Sequence, residues 1–184
     1  MIYFTSDFHF GHRNILRLDN RPFEDLEDME TKLIYMWNST VQPEDTVYHL
    51  GDFFWKLGVA VRVLPKLNGN IVCIQGNHDG KWWKNPEVYK VKSDITFVDD
   101  SIHILHNLEG CKPIVLCHYP MRSWPHSARG AWHLYGHTHR ALSSYGKSLC
   151  VCLNVCDYKL VSLDEVITKM KTSPETEDTY GQPI

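Results

Sequence analysis

Three short β-rich apolar runs, residues 2–5, 46–50 and 70–75, alternate with two segments of helical periodicity, and each run stops at a cluster of glycine, aspartate, asparagine or histidine. This βαβαβ alternation constrains the fold more than any other feature, because it sets the runs side by side as parallel strands with helices covering them. In the third run, Ile71, Val72, Cys73 and Ile74 lead into Gly76, Asn77, His78 and Asp79. An amide, an imidazole and a carboxylate on one turn do nothing that stability requires. A strand end, however, holds side chains in fixed directions, and a metal-assisted site needs that.

Between the first two runs, Leu26, Met29, Leu33 and Trp37 are spaced three, four and four apart, with acidic residues early. That is an amphipathic helix whose charges match its dipole. Val59, Val61, Val63, Leu64 and Leu67 predict a second helix, closed by Asn68 and Gly69. The second half reads as strands at 95–98, 101–106 and 114–117, with a hairpin turn at Asn107-Leu108-Glu109-Gly110, and a last strand at 149–155. Ser162 and Glu165 have the spacing of a capping box, which opens a helix carrying Val166, Ile167 and Met170. The expected organisation is one domain over residues 1–172 and a polar tail over 173–184.

A formal net charge of -3 argues against a protein that grips long nucleic acid by bulk charge. No stretch approaches the ~18 apolar residues of a membrane span, and no leader precedes the first strand, so the expectation is a soluble cytoplasmic protein without membrane contact. Six cysteines, none in Cys-x-x-Cys spacing, lie mostly in apolar runs and read as reduced core residues.

The polar residues just past strand ends are Asp7, His9, Asp52, Asn77, His78, His118, His137 and His139. Two carboxylates, one amide and five imidazoles exceed what one structural zinc needs. They suit two divalent ions sharing a carboxylate, with Mn²⁺ first and Fe, Zn²⁺ or Ni²⁺ as alternatives. Asp52 is the expected bridge, since it stands alone after its strand. Two such ions acidify a shared water and clamp the attacking and leaving oxygens of an in-line displacement at phosphorus. The reaction class is phosphoester hydrolysis.

In this order, Asp7-x-His9, Gly51-Asp52, Gly76-Asn77-His78-Asp79, His118 and Gly136-His137-x-His139 resemble the blocks of the calcineurin-like metallophosphoesterases. The words Thr5-Ser6-Asp7-Phe8-His9-Phe10-Gly11-His12 and His118-Tyr119-Pro120 are similar to those of small single-domain bacterial and bacteriophage members. The resemblance implies an α/β fold, an αββα sandwich of two mixed sheets flanked by helices. It implies that Asp7, His9 and His139 hold one ion, that Asn77, His118 and His137 hold the other, and that Asp52 bridges them. His78 would sit beside the metals and protonate the leaving oxygen.

One departure is informative: Gly51-Asp52 continues into Phe53-Phe54-Trp55, not the Asp-Arg-Gly of the phosphoprotein phosphatase branch. Nor does the chain have room for the capping domains of the nuclease branches. The reading is a phosphodiesterase for small phosphodiesters or nucleotides, cyclic ones included. The alternatives are a phosphomonoesterase or phosphoprotein phosphatase, and a non-catalytic scaffold of the same fold. His12 and Arg13 are near enough in sequence to the first block to reach a phosphate. Arg122 and Trp124, with Arg129 and Trp132, are candidates for a substrate wall, as are Trp82 and Trp83. His49 is expected to be structural or to stand behind the ligands.

Overall fold

In a computed structural model, which describes residues 1–143 and 145–175, the first half is the expected parallel unit. β1 (Ile2–Thr5), β2 (Thr46–His49), β3 (Asn70–Cys73) and β4 (Ile95–Phe97) run parallel in that spatial order. β9 (Val161–Ser162) pairs antiparallel with β1 on its free side. The sequence did not announce β9, because two residues are too few to show a period. The second sheet is β5 (Ile102–Leu105), β6 (Ile114–Cys117), β7 (Trp132–Tyr135) and β8 (Ser148–Cys150), antiparallel at the hairpin and parallel after it. The last predicted strand is shorter than residues 149–155: past Cys150 the chain keeps only a single bridge from Cys152 to Ser6 before it turns away.

Alternation of side chains builds the layers. One helical turn, α1 (Ile15–Leu18), follows β1. Val47, Ile71 and Cys73 face α2 (Leu26–Thr40), α3 (Leu57–Val63) and α4 (Pro86–Val91), which supply Met29, Leu33, Trp37, Ala60, Val63 and Val88. Phe4, Leu50 and Ile74 face the other way, onto Ile114, Leu116, Trp132 and Leu134 of the second sheet. α5 (Leu163–Thr172) adds Val166 and Met170 to that inter-sheet core. Its capping box forms with both reciprocal bonds, as the Ser162 and Glu165 spacing predicts. The architecture is thus two mixed sheets flanked by helices. Of the predicted polar tail, residues 173–175 follow α5, and residues 176–184 lie outside the described residues. All six cysteines are free, and four of them are buried. Among the described residues no helix is long and apolar enough to cross a membrane.

His49, at the end of β2, is fully buried with its ring stacked on Phe53 at 3.8 Å, and neither ring nitrogen has a hydrogen-bond partner among the described residues. Burial pushes its imidazole from 6.5 down to about 3, despite the opposing pull of Asp7. Between those two values the unfolded chain binds a proton that the folded chain refuses. The stability due to neutral His49 is therefore full above about pH 6.5 and is lost as the pH falls towards 3. His49→Phe keeps the stacking and should flatten that acid limb, seen as urea midpoints at pH 7 and pH 5 that differ less than in the wild type. An unchanged difference would place the acid lability elsewhere.

Candidate metal centre

The carboxyl ends of β1, β2, β3, β6 and β7 converge, and the loops leaving them are tied together by backbone hydrogen bonds. Asp7 N donates to Gly51 O and His9 N to Asp52 O, both at 3.0 Å, and Gly136 N donates to His118 O at 2.9 Å. Asp7, His9, Asp52, His137 and His139 all have left-handed backbones, with φ of 62°, 53°, 58°, 71° and 50°. Such conformations cost of order 1–3 kcal/mol each and persist where the surroundings impose them, commonly at functional sites.

Two glycines permit the close approach. A Cβ on Gly76 would lie 2.2 Å from Asp52 Oδ1, and one on Gly51, whose φ is +96°, would lie 2.6 Å from His118 Nδ1.

Each carboxylate is held by one oxygen and leaves the other free. Asp52 Oδ1 accepts the His78 N–H at 2.8 Å, and Asp7 Oδ2 accepts the His137 N–H at 3.0 Å and the Cys152 thiol at 3.2 Å. Asp52 Oδ2 and Asp7 Oδ1 are buried and accept no hydrogen bond among the described residues. Asp52 Oδ2 lies 3.6 Å from both His9 Nε2 and His118 Nε2. Asp7 Oδ1 lies 3.3 Å from His139 Nε2, whose own distance to His9 Nε2 is 3.2 Å.

Two orphaned anionic oxygens facing ring nitrogens would carry a heavy desolvation cost unless a cation joined them. Donor atoms of Asp7, His9, Asp52 and His139 lie within 4.8 Å of one another, and this cluster can hold a metal ion. On the far side of Asp52, Asn77 Oδ1 is 3.0 Å from His118 Nε2, and the His137 ring centre is 5.1 Å from that of His118.

The surrounding groups set tautomers and charge. His118 Nδ1 donates to Leu50 O at 2.7 Å and His139 Nδ1 to Asp19 Oδ2 at 2.5 Å, so both Nε2 atoms face the cluster. Burial pushes the His9 imidazole down to about 2. Burial also lowers His139, but the Asp19 carboxylate, to which its Nδ1 donates, and the negative charge of Asp7 outweigh it and lift that imidazole to about 9. Burial would raise the Asp7 carboxyl, yet His139 and His118 hold it below the ordinary range; Asp52 is raised by burial, with the charge of Asp7 adding to it. Two neighbouring carboxylates, one lowered and one raised, are an electrostatic strain that a shared cation would relieve.

Sequence reasoning missed three supports. Arg21, almost fully buried, donates to Asp7 O at 2.7 Å and Phe8 O at 2.8 Å, and so fixes the strained backbone of the first block. Asp19 orients His139. Asp79 accepts from Asp52 N, Phe53 N, Gly76 N and the Trp82 indole at 2.8–3.1 Å, locking two ligand loops together. Asp79 was visible as part of its motif; nothing local marks Asp19 or Arg21.

The candidate substrate residues divide. The His12 ring lies 5.6 Å from His9 and 6.4 Å from His78. Exposed Arg13 makes no ion pair among the described residues. Arg122 stacks 3.6 Å over Tyr145 and lines a pocket of about 270 Å³ with Pro120 and Tyr135. Trp124 and Trp132 do not form the expected wall. Trp124 is buried on the outer face of the second sheet, donating to Ala131 O, and Trp132 faces the inter-sheet core. Trp82 is also fully buried. His78, Asn77 and His137 are exposed, so the site is an open groove, separate from the cavity of about 620 Å³ that Leu149, Cys156 and Lys169 line beside α5.

Fold and site together define a two-sheet α/β protein with an Asp/His cluster at the carboxyl ends of its strands that can hold a metal ion. The chain belongs to the same family as uncharacterized protein MJ1445 of Methanocaldococcus jannaschii, to which it is 38% identical over 176 residues, 90% of this chain and 89% of that one. Gene 66 protein of Mycobacterium phage L5 is 26% identical over 161 residues, 74% of this chain and 76% of the phage protein. DNA double-strand break repair protein Mre11 of Nanoarchaeum equitans is 36% identical over 95 residues, 45% of this chain but only 25% of Mre11. The solved structure of the protein of unknown function AQ665 from Aquifex aeolicus matches with a TM-score of 0.69 at 26% identity, over 92% of this chain and 98% of that one. No protein-family model matches.

Proposed function

We propose that the protein is a two-metal phosphoesterase that acts on small phosphodiesters or nucleotides. The observation that carries this reading is the buried Asp52 Oδ2, which accepts no hydrogen bond among the described residues and lies equidistant at 3.6 Å from a histidine of each half of the cluster. Asp7, His9 and His139 would hold one ion, Asn77, His118 and His137 the other, and Asp52 both. Ions so placed supply an acidified water and a clamp on the oxygens of an in-line displacement, and Mn²⁺ suits the donor set.

The chain's own residues supply the rest. His78 is tied to Asp52 by its backbone N–H while its exposed ring stands 5.6 Å from that of His9. It can hand a proton to a leaving oxygen in the groove. Phe53 and Phe54, where phosphoprotein phosphatases carry a charged sequence, are core residues here, which favours a small substrate over a phosphoprotein. The segment shared with a DNA repair protein supports chemistry at a phosphodiester, with DNA itself left to that protein.

The test is hydrolysis of bis-p-nitrophenyl phosphate and p-nitrophenyl phosphate by chelated protein with Mn²⁺ added back, alongside metal content per chain. Two metals per chain and faster cleavage of the diester are expected. Faster cleavage of the monoester would turn the assignment to a phosphomonoesterase. Bound metal with neither substrate cleaved would favour the scaffold. His78→Ala should keep both metals and slow turnover by about 10²–10⁴-fold. Loss of a metal in that variant would make His78 a ligand instead.

A further inference from the structure

Beyond their ligands, the loops that leave β1 and β2 stay paired. Phe10 N donates to Phe53 O and Trp55 N to Phe10 O, both at 2.9 Å, extending the register that fixes His9 and Asp52. This pairing lays the Trp55 indole flat on the His12 imidazole, with ring centres 4.0 Å apart and planes 5° from parallel. The indole is also 5.4 Å from the ring of His78, the proposed proton donor. Trp55 belongs to none of the hydrophobic clusters and stays 38% exposed, whereas Phe53 and Phe54 beside it are 1% exposed.

A large aromatic side chain held rigid on a polar partner, kept out of the core and set beside the proposed proton donor has a face to offer a planar ligand. Every nucleobase has a π-face, and stacking on an aromatic side chain is worth about tenfold or more in affinity.

We infer that Trp55, held flat on His12, is a stacking platform for the base of a nucleotide whose phosphate enters the metal groove. This inference rests on the phosphoesterase reading and narrows it to substrates that carry a nucleobase. Trp55 acts as a specificity residue: it touches the base and leaves the phosphorus to the metal ligands and His78.

The experiment is calorimetric titration of Mn²⁺-loaded protein with adenosine 5′-monophosphate and with ribose 5-phosphate, which share the phosphoribose and differ in the base. The wild type should bind the nucleotide about tenfold or more tightly than the sugar phosphate. Trp55→Ala should erase that preference, and Trp55→Phe should retain most of it. Equal affinities in the wild type, or a preference that survives Trp55→Ala, overturns the platform and leaves the phosphoesterase reading standing. If neither ligand binds, the platform falls as well, and the phosphoesterase reading is decided separately by the hydrolysis of bis-p-nitrophenyl phosphate.

Discussion

Asp52→Asn should reduce phosphodiester hydrolysis by about 10²–10³-fold or more and lower the metal content from two ions per chain to at most one. The substitution preserves size and keeps an oxygen able to accept the His78 N–H at the Oδ1 position. What changes is the other arm, where an amide donor replaces the one carboxylate oxygen that faces both His9 and His118 at 3.6 Å. No terminal ligand stands in that relation to both halves of the cluster, so His9→Ala should be the milder variant. The metal-free Asp52→Asn protein should be at least as stable as the wild type, because the buried oxygen it loses has no hydrogen-bond partner among the described residues and carries repulsion from Asp7. Separating activity from stability distinguishes a lost ligand from a lost fold. A His9→Ala loss that equals or exceeds the Asp52→Asn loss would overturn the bridging role.

The second large effect concerns folding. Asp79→Ala should destabilise the chain by about 3–5 kcal/mol, read as a shift of the urea midpoint. The Asp79 carboxylate is 5% exposed and takes four donors: three backbone N–H groups from the two ligand loops and the Trp82 indole. Removing it leaves those donors buried, and an unsatisfied buried donor costs about 1–3 kcal/mol. Burial raises this carboxyl to about 6 even so, which shows how little water reaches it. A loss below about 1 kcal/mol, ordinary for a surface change, would mean that water or a rearranged loop takes over the donors. Because Asp79 joins the Gly51-Asp52 loop to the Gly76-Asn77 loop, the same variant should also weaken metal binding.

Much of the candidate site was legible in the chain because its polar groups sit directly beyond strands. Residues 2–5, 46–50 and 70–75 are apolar enough to be strands by composition alone, so the polar groups that follow them had a known address. The helix bearing Met29, Leu33 and Trp37 and the capping box at Ser162 were readable for the same reason: period and caps are local. β9 and the early end of β8 were not readable, because a two-residue pairing with β1 and a single bridge at Cys152 depend on what lies across the gap. The tryptophans misled for a related reason. Trp124, Trp132 and Trp55 are equally aromatic in sequence, yet the first two are buried against the second sheet and only Trp55 stands exposed beside the groove.

Residue order alone placed two carboxylates, one amide and five imidazoles at strand ends, a donor set suited to metal binding, because side-chain chemistry and strand propensity act within a few residues. Folding settled the rest: which oxygen of Asp7 and Asp52 stays unpartnered, that Asp19 and Arg21 brace His139 and the first block, and that Trp55 lies flat on His12. These are relations between groups up to 145 positions apart, as with Asp7 and Cys152. Their distances arise only when two sheets pack face to face and their loops are forced to share one end of the sandwich.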